Sequence, residues 1–221
     1  MNSDLMKRGI TRAGARALLK GAGFTDNDLE KPIIGIACSW TNLFPGHMQL
    51  DKLAEQVSLG IASEGGTPIT FNTIAVCDGL ANGNPGMRYS LPSRENIADA
   101  VEIMVRSHYF DALVIIPGCD KITPGMIKAM ARVDIPAIVV NAGPMMAGRL
   151  DGANIDVVDV GSYVGQVIVG KKTEADLKRV EDEACPGCGS CAGMFTANSM
   201  GCMTEVLGIA LPGNGSIPAV H

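Results

Sequence analysis

At 221 residues the chain can bury a sizeable core within one domain of ordinary size. Hydrophobic residues make up 47% and aromatics only 4%, so that core is aliphatic. The net charge of −5 argues against a nucleic-acid or anionic-membrane surface.

The polar start, Met-Asn-Ser-Asp-Leu-Met-Lys-Arg, reads as carrying no secretory signal, and no apolar run is long enough to span a bilayer. A cytoplasmic location with reduced thiols is expected. The 7 cysteines are then no disulfide framework; the count is odd, and three of them crowd into Cys185–Cys191.

Residues 1–31 read as an N-terminal arm with a helical patch from Thr11 to Leu19, stopped by Gly21 and Gly23. Thr25 to Asp28 reads as a turn or cap. Ile33 to Ser39 is a short apolar run, best read as a buried strand. From Met48, apolar residues recur at Leu50, Leu53, Ala54, Val57 and Ile61, which is helical spacing ended by Gly65-Gly66. Ile69 to Val76 predicts a second strand, running into Cys77-Asp78-Gly79 and a Gly- and Asn-rich loop through Gly86.

Ser93 reads as the N-cap of the next helix, with Ile97, Val101, Met104, Val105 and His108 along its apolar face. Ala112 to Ile116 predicts the third strand and Ala137 to Val140 the fourth. Between them, Thr123-Pro124 looks like an N-cap with Pro at the first helical position, and Met126, Ile127, Met130 and Ala131 give that helix a buried face. Val157, Val160, Val164, Val167 and Ile168 recur at roughly helical spacing, weakened by Gly161 and Gly165. Thr173 with Asp176 resembles a capping box opening a charged helix to about Glu183. A last helix, with Met200 and Met203 in the core, runs to about Leu207.

The alternation of apolar strands and helices predicts an α/β fold: a parallel sheet flanked by helices on both faces, an α/β/α sandwich, followed by a Cys-rich loop and helix. Residues 32–221 form this domain.

Cys119, Asp120 and Lys121 fall just past the carboxyl end of the third strand, where open α/β sheets bind ligands, and Asp78 falls in the equivalent place after the second. Asp78 and Asp120 are suited to a hard ion such as Mg²⁺. Lys121 fits less simply. Its ammonium contacts an anionic substrate, or the residue joins the metal site as a carbamate. Cys185, Cys188 and Cys191, spaced C-x₂-C-x₂-C, favour an iron–sulfur cluster over zinc, for which a second cysteine pair is lacking. Cys38, Cys77 and Cys202 read as structural thiols, and His47 and His108 as structural histidines. The loop from Gly79 to Gly86 lacks the nucleotide-binding glycine patterns.

Phe71-Asn-Thr-Ile-Ala-Val, Cys77-Asp-Gly, Gly86-Met-Arg-Tyr-Ser-Leu-Pro-Ser-Arg94, Gly118-Cys-Asp-Lys-Ile-Thr-Pro-Gly-Met126 and Cys191-Ala-Gly-Met-Phe-Thr-Ala-Asn-Ser-Met200 closely resemble the dihydroxy-acid dehydratases. These share a family with 6-phosphogluconate and sugar-acid dehydratases. The resemblance covers nearly the whole chain and implies the N-terminal part of an enzyme more than twice this length. It implies a hydro-lyase turning 2,3-dihydroxyisovalerate and 2,3-dihydroxy-3-methylvalerate into 2-keto acids in isoleucine and valine biosynthesis.

By the same resemblance, Cys119 and Cys191 match cluster ligands, Asp78 and Asp120 match Mg²⁺ ligands, and Lys121 matches a carbamylated lysine on that ion. Relatives with a 2Fe–2S cluster carry a cysteine after the proline matching Pro45; here the residue is Gly46. A 4Fe–4S cluster is therefore expected over 2Fe–2S, its third ligand being Cys185 or Cys188, with Cys188 preferred. No catalytic base is expected in this part; the resemblance places it in a C-terminal domain. It also implies a homodimer acting on a small dihydroxy acid, with no nucleic-acid or membrane partner. The competing readings are a sugar-acid dehydratase, an iron–sulfur sensor and a zinc-binding module.

Overall fold

The computed structural model describes residues 1–221. Strand β1 (Ile33–Cys38) is an almost wholly buried apolar run and lies inside the sheet. It pairs in parallel with β2 (Thr67–Asn72) on one side and β3 (Ala112–Ile116) on the other, and β3 pairs with β4 (Ala137–Val139). The strand order is β2-β1-β3-β4, all parallel, as the alternation of strand and helix predicts.

Side chains alternate along each strand, which separates two apolar layers. Ile33, Ala37, Leu113 and Ile115 face helices α6 (Ser90–His108) and α7 (Ile122–Val133), burying Ile97, Val101, Ile122, Met126 and Ala129. Ile36, Cys38, Val114 and Ile116 face the opposite way, against Leu50 and Ala54 of α4 (Leu50–Ser63). Helices thus cover both faces.

The arm contains α1 (Asp4–Lys7), α2 (Ala13–Gly21) and α3 (Asp26–Glu30). A capping box between Thr25 and Asp28 opens α3. Asp111, in the turn before β3, fastens the arm: its carboxylate accepts from Ser3 N at 3.0 Å, Ser3 Oγ at 2.5 Å and Ile33 N at 2.8 Å. Burial works to raise the Asp111 pKa, but these hydrogen bonds prevail and hold it below the usual carboxylate value.

Several local expectations shift. The second strand ends at Asn72, not Val76, and Thr73–Cys77 leads into the short helix α5 (Asp78–Ala81). Helix α6 starts at Ser90, so Ser93 is its first-turn residue, donating to Ser90 O at 2.6 Å instead of capping. Helix α7 likewise starts before Thr123, whose Oγ donates to Cys119 O at 3.0 Å. A hairpin of β5 (Gly148–Leu150) and β6 (Ala153–Ile155), too short to show a period, went unpredicted. Beyond it lie α8 (Val157–Ile168), α9 (Glu174–Glu183), opened by the expected Thr173/Asp176 box, and α10 (Thr196–Val206). Met203 of α10 is exposed rather than core, and His108 is also exposed. No helix is long and apolar enough to cross a membrane.

Candidate functional site

The carboxyl ends of the parallel strands bring the reactive side chains together. Cys77 and Asp78 follow β2; Pro117-Gly118 carries the chain from β3 to Cys119, Asp120 and Lys121. The turn after β3 is tight. A Cβ at Gly118 would sit 2.4 Å from Gly46 O and 3.0 Å from His47 Nε2, so only glycine lets the two loops approach. His47 is fully buried beneath, with Nδ1 2.5 Å from Ser39 O. Burial lowers its pKa to about 4, against the smaller upward pull of the Ser39 carbonyl. The ring is therefore neutral at pH 7, with Nδ1–H as donor and Nε2 unpartnered.

The Cys-rich loop is stitched to this edge by backbone hydrogen bonds: Gly189 N to Pro45 O at 3.0 Å, Ser190 N to Gly143 O at 3.0 Å and Met145 N to Ser190 O at 2.7 Å. At Gly189, φ is +119° and a Cβ would stand 2.5 Å from Met145 N, a conformation and an approach that exclude other residues. Asn198, buried in the first turn of α10, holds the far side. Its amide donates to Cys191 O at 2.8 Å and Gly193 O at 2.7 Å, and its oxygen accepts from Ser190 Oγ. These contacts present Cys191 to the cleft. Asn198 was missed in the sequence because nothing in its type or spacing distinguishes it from a solvent-facing polar residue.

A cleft of about 700 Å³ lies over these ends, lined by Cys77, Asp78, Cys119, Asp120 and Cys191, with Val157, Val158 and Phe195 on its apolar wall. A smaller cavity of about 210 Å³ adjoins it and shares Cys77, Cys119 and Cys191. The expected site residues Asp78, Cys119, Asp120 and Cys191 therefore meet. Cys188 lines neither space; its thiol points to Ala219 O at 3.8 Å. Cys185 lines the smaller cavity alone. Cys77, read from sequence as structural, lines both. Its position after a strand end was the available signal.

Lys121 Nζ lies 2.6 Å from Asp78 Oδ2 and 2.8 Å from Asp120 Oδ2, and Ser90 Oγ donates to the other oxygen of Asp78. Burial works to raise the Asp78 pKa, but hydrogen bonds from Lys121 and Ser90 outweigh it and the value falls. At Asp120 burial wins, helped by the facing Asp78, and the value rises despite Lys121. Burial pulls the Lys121 pKa down, yet the two carboxylates raise it on balance. On the sulfur side, the neighbouring Cys119 thiol lowers the Cys77 pKa to about 6 against burial, and Cys77 together with burial drives that of Cys119 upward. Burial and the neighbouring Cys77 raise Cys191 as well.

No three His, Cys, Asp or Glu side chains converge closely enough to hold a single metal ion. The donor chemistry nonetheless fits two groups of different hardness. Two carboxylates around one cationic point suit Mg²⁺, which takes one or two protein carboxylates and completes its shell with water or substrate. Cysteine thiolates suit an iron–sulfur cluster, whose bulk spreads its ligands wider than one ion does.

These features define an α/β protein with soft sulfur donors and hard oxygen donors on one cleft at the carboxyl edge of a parallel sheet. The chain belongs to the dihydroxy-acid/6-phosphogluconate dehydratase family, whose N-terminal model matches residues 31–221. It is 59% identical over 221 residues to a dihydroxy-acid dehydratase of Halothermothrix orenii and 57% identical over 221 residues to one of Pyrococcus abyssi. Each match takes in 100% of this chain but 40% of the relative, so the chain spans about two fifths of the length of these proteins.

Proposed function

We propose that this chain supplies the electrophilic half of a hydro-lyase that dehydrates 2,3-dihydroxy acids to 2-keto acids. The proposed substrates are 2,3-dihydroxyisovalerate and 2,3-dihydroxy-3-methylvalerate, of isoleucine and valine biosynthesis. The observation that carries this reading is the pairing of a thiol set with two carboxylates on one cleft, the carboxylates being held by Lys121 from outside its lining. The names of the relatives, all dihydroxy-acid dehydratases at 57–59% identity, favour dihydroxy acids over sugar acids.

Cys119 and Cys191 would hold an iron–sulfur cluster, and Asp78 and Asp120 Mg²⁺ with a carbamylated Lys121. When bound, both groups supply Lewis acidity for a hydroxyl that leaves and for charge that develops beside a carboxylate. The protein's own contributions are positional. Asp78, set by Ser90, and Asp120 fix the hard site at one place on the cleft floor. Val157, Val158 and Phe195 make one wall of the cleft apolar.

The cleft lining contains no histidine and no lysine. Its carboxylates are the two assigned to the metal, and its other ionisable groups are thiols. We assign the base to residues outside this chain. The test is an anaerobic assay with 2,3-dihydroxyisovalerate and with a sugar acid, on the 221-residue chain and on the whole protein that carries it. Turnover of the dihydroxy acid by the whole protein alone is expected. Turnover by the 221-residue chain would refute the assignment of the base, and preference for the sugar acid would refute the substrate.

A further inference from the structure

We infer that Cys77 is the third cysteine ligand of the cluster at Cys119 and Cys191, in place of Cys188 or Cys185. The inference rests on the iron–sulfur reading given above. Three thiols, Cys77, Cys119 and Cys191, line both the large cleft and the cavity beside it, so they are the cysteines shared by the two spaces and the ones a group seated between them would meet. Cys188 lines neither space and faces Ala219 O, and Cys185 reaches only the smaller one.

Chain path makes the placement firm. Cys77 leaves the end of β2 and Cys119 the end of β3, strands that flank β1 in the sheet. Cys191 arrives from the loop that Gly189 and Ser190 bind to the same edge. The three sulfurs thus come from three independent segments, which leaves the cleft-facing side of the set open to a substrate hydroxyl. Each cysteine binds iron as the thiolate, its proton passing to solvent as the sulfur–iron bond forms.

Position 46 supplies a second handle. A Cβ built on Gly46 would lie 3.3 Å from Cys119 Sγ, with no closer neighbour, so a cysteine there would set its sulfur beside the same group. The chain has a vacancy for a thiol on the β1 side of Cys119 and a thiol, Cys77, on the β2 side.

The experiment is anaerobic reconstitution of the whole protein with ferrous iron and sulfide. Bound iron, acid-labile sulfide and the electron paramagnetic resonance spectrum of the reduced protein are read. Cys77→Ser is expected to lose most of its iron and sulfide, while Cys185→Ser and Cys188→Ser keep the wild-type content and spectrum. Adding Gly46→Cys to Cys77→Ser is expected to restore bound iron and sulfide. A folded Cys77→Ser protein with wild-type content and spectrum overturns the inference, as does loss confined to Cys185→Ser or Cys188→Ser.

Alkylation of the reconstituted wild type, mapped by mass spectrometry, needs no variant to fold. Cys77, Cys119 and Cys191 should be protected and Cys185 and Cys188 modified; modification of Cys77 in the loaded protein overturns the inference. A wild type that takes up neither iron nor sulfide defeats the cluster reading itself, and this assignment with it, a result distinct from a loaded protein with Cys77 free.

Discussion

Lys121 ends between two carboxylates, and that placement gives the proposed Mg²⁺ site two charge states. With an ammonium there, two short attractions, at 2.6 and 2.8 Å, outweigh the single repulsion between Asp78 and Asp120. With a carbamate there, three anions would face one another, and only a divalent cation offsets them. Because the carboxylates raise the Lys121 pKa, the free amine that reacts with carbon dioxide is scarce until an ion displaces the ammonium. Carbamylation and Mg²⁺ binding should therefore be linked. With ¹³C-bicarbonate, a lysine carbamate signal is expected in nuclear magnetic resonance spectra when Mg²⁺ is present and not when it is absent; a signal of equal intensity without the ion would break the link. Asp78→Asn and Asp120→Asn should each weaken Mg²⁺ binding by more than the roughly 10–100-fold that outer-shell changes cost, measured by calorimetry.

His47 works at the same scale but through stability. Its folded pKa, about 4, lies below the ordinary 6.5, so the unfolded chain binds the extra proton between those values. The stabilisation is full above pH 6.5 and is lost as pH falls toward 4, by up to roughly 3 kcal/mol. Denaturant midpoints measured from pH 7 down to 4.5 should fall more steeply for the wild type than for His47→Gln. Parallel curves would show that His47 does not carry the effect.

Among the elements, the loop from Cys185 to Phe195 is the one whose geometry most needs outside support, since it has no ladder of its own. Its hold on the sheet edge is backbone at Gly189 and Ser190, and side chain at Asn198. Asn198→Ala would remove the donor to the Cys191 and Gly193 carbonyls in a part-buried setting, at a cost of about 0.5–1.5 kcal/mol for each hydrogen bond. Faster amide exchange across residues 189–193 is expected, with the exchange of β1 and β3 unchanged. Uniform acceleration over the whole chain would mean that Asn198 acts on global stability instead. The strands themselves were legible to within a few residues because each is a run of apolar side chains. Helix starts were less so. Ser93 and Thr123-Pro124 carry the residue types of a cap, yet the chain enters the first helix about one turn sooner and the second two residues sooner.

Across the whole molecule, the arm and the α/β body meet at Asp111. The family match begins at residue 31, so this carboxylate reaches from inside the matched region to Ser3 outside it. Asp111→Ala would unpair Ser3 and Ile33 N together and should cost about 1–3 kcal/mol in chemical denaturation. Its depressed pKa gives a contribution that is present above pH 3.8 and lost as pH falls through the lower folded value. Loss of arm protection in limited proteolysis, with the body intact, is the accompanying sign; an arm equally protected in the variant would contradict it.

By itself the sequence determined the layered α/β architecture, the strand ends that bear Asp78, Cys119, Asp120 and Lys121, and the family motifs, because hydrophobic period and contiguous motifs are local properties. Only the tertiary structure decided which thiols meet. Cys185, Cys188 and Cys191 are neighbours in sequence, but Gly189 turns the chain between Cys188 and Cys191 and sends their side chains to different places. Cys77 and Cys119 are distant in sequence, and strands β2 and β3, packed on either side of β1, deliver them to one cleft. Spacing along a loop without a repeating backbone conformation does not set direction. Strand order does.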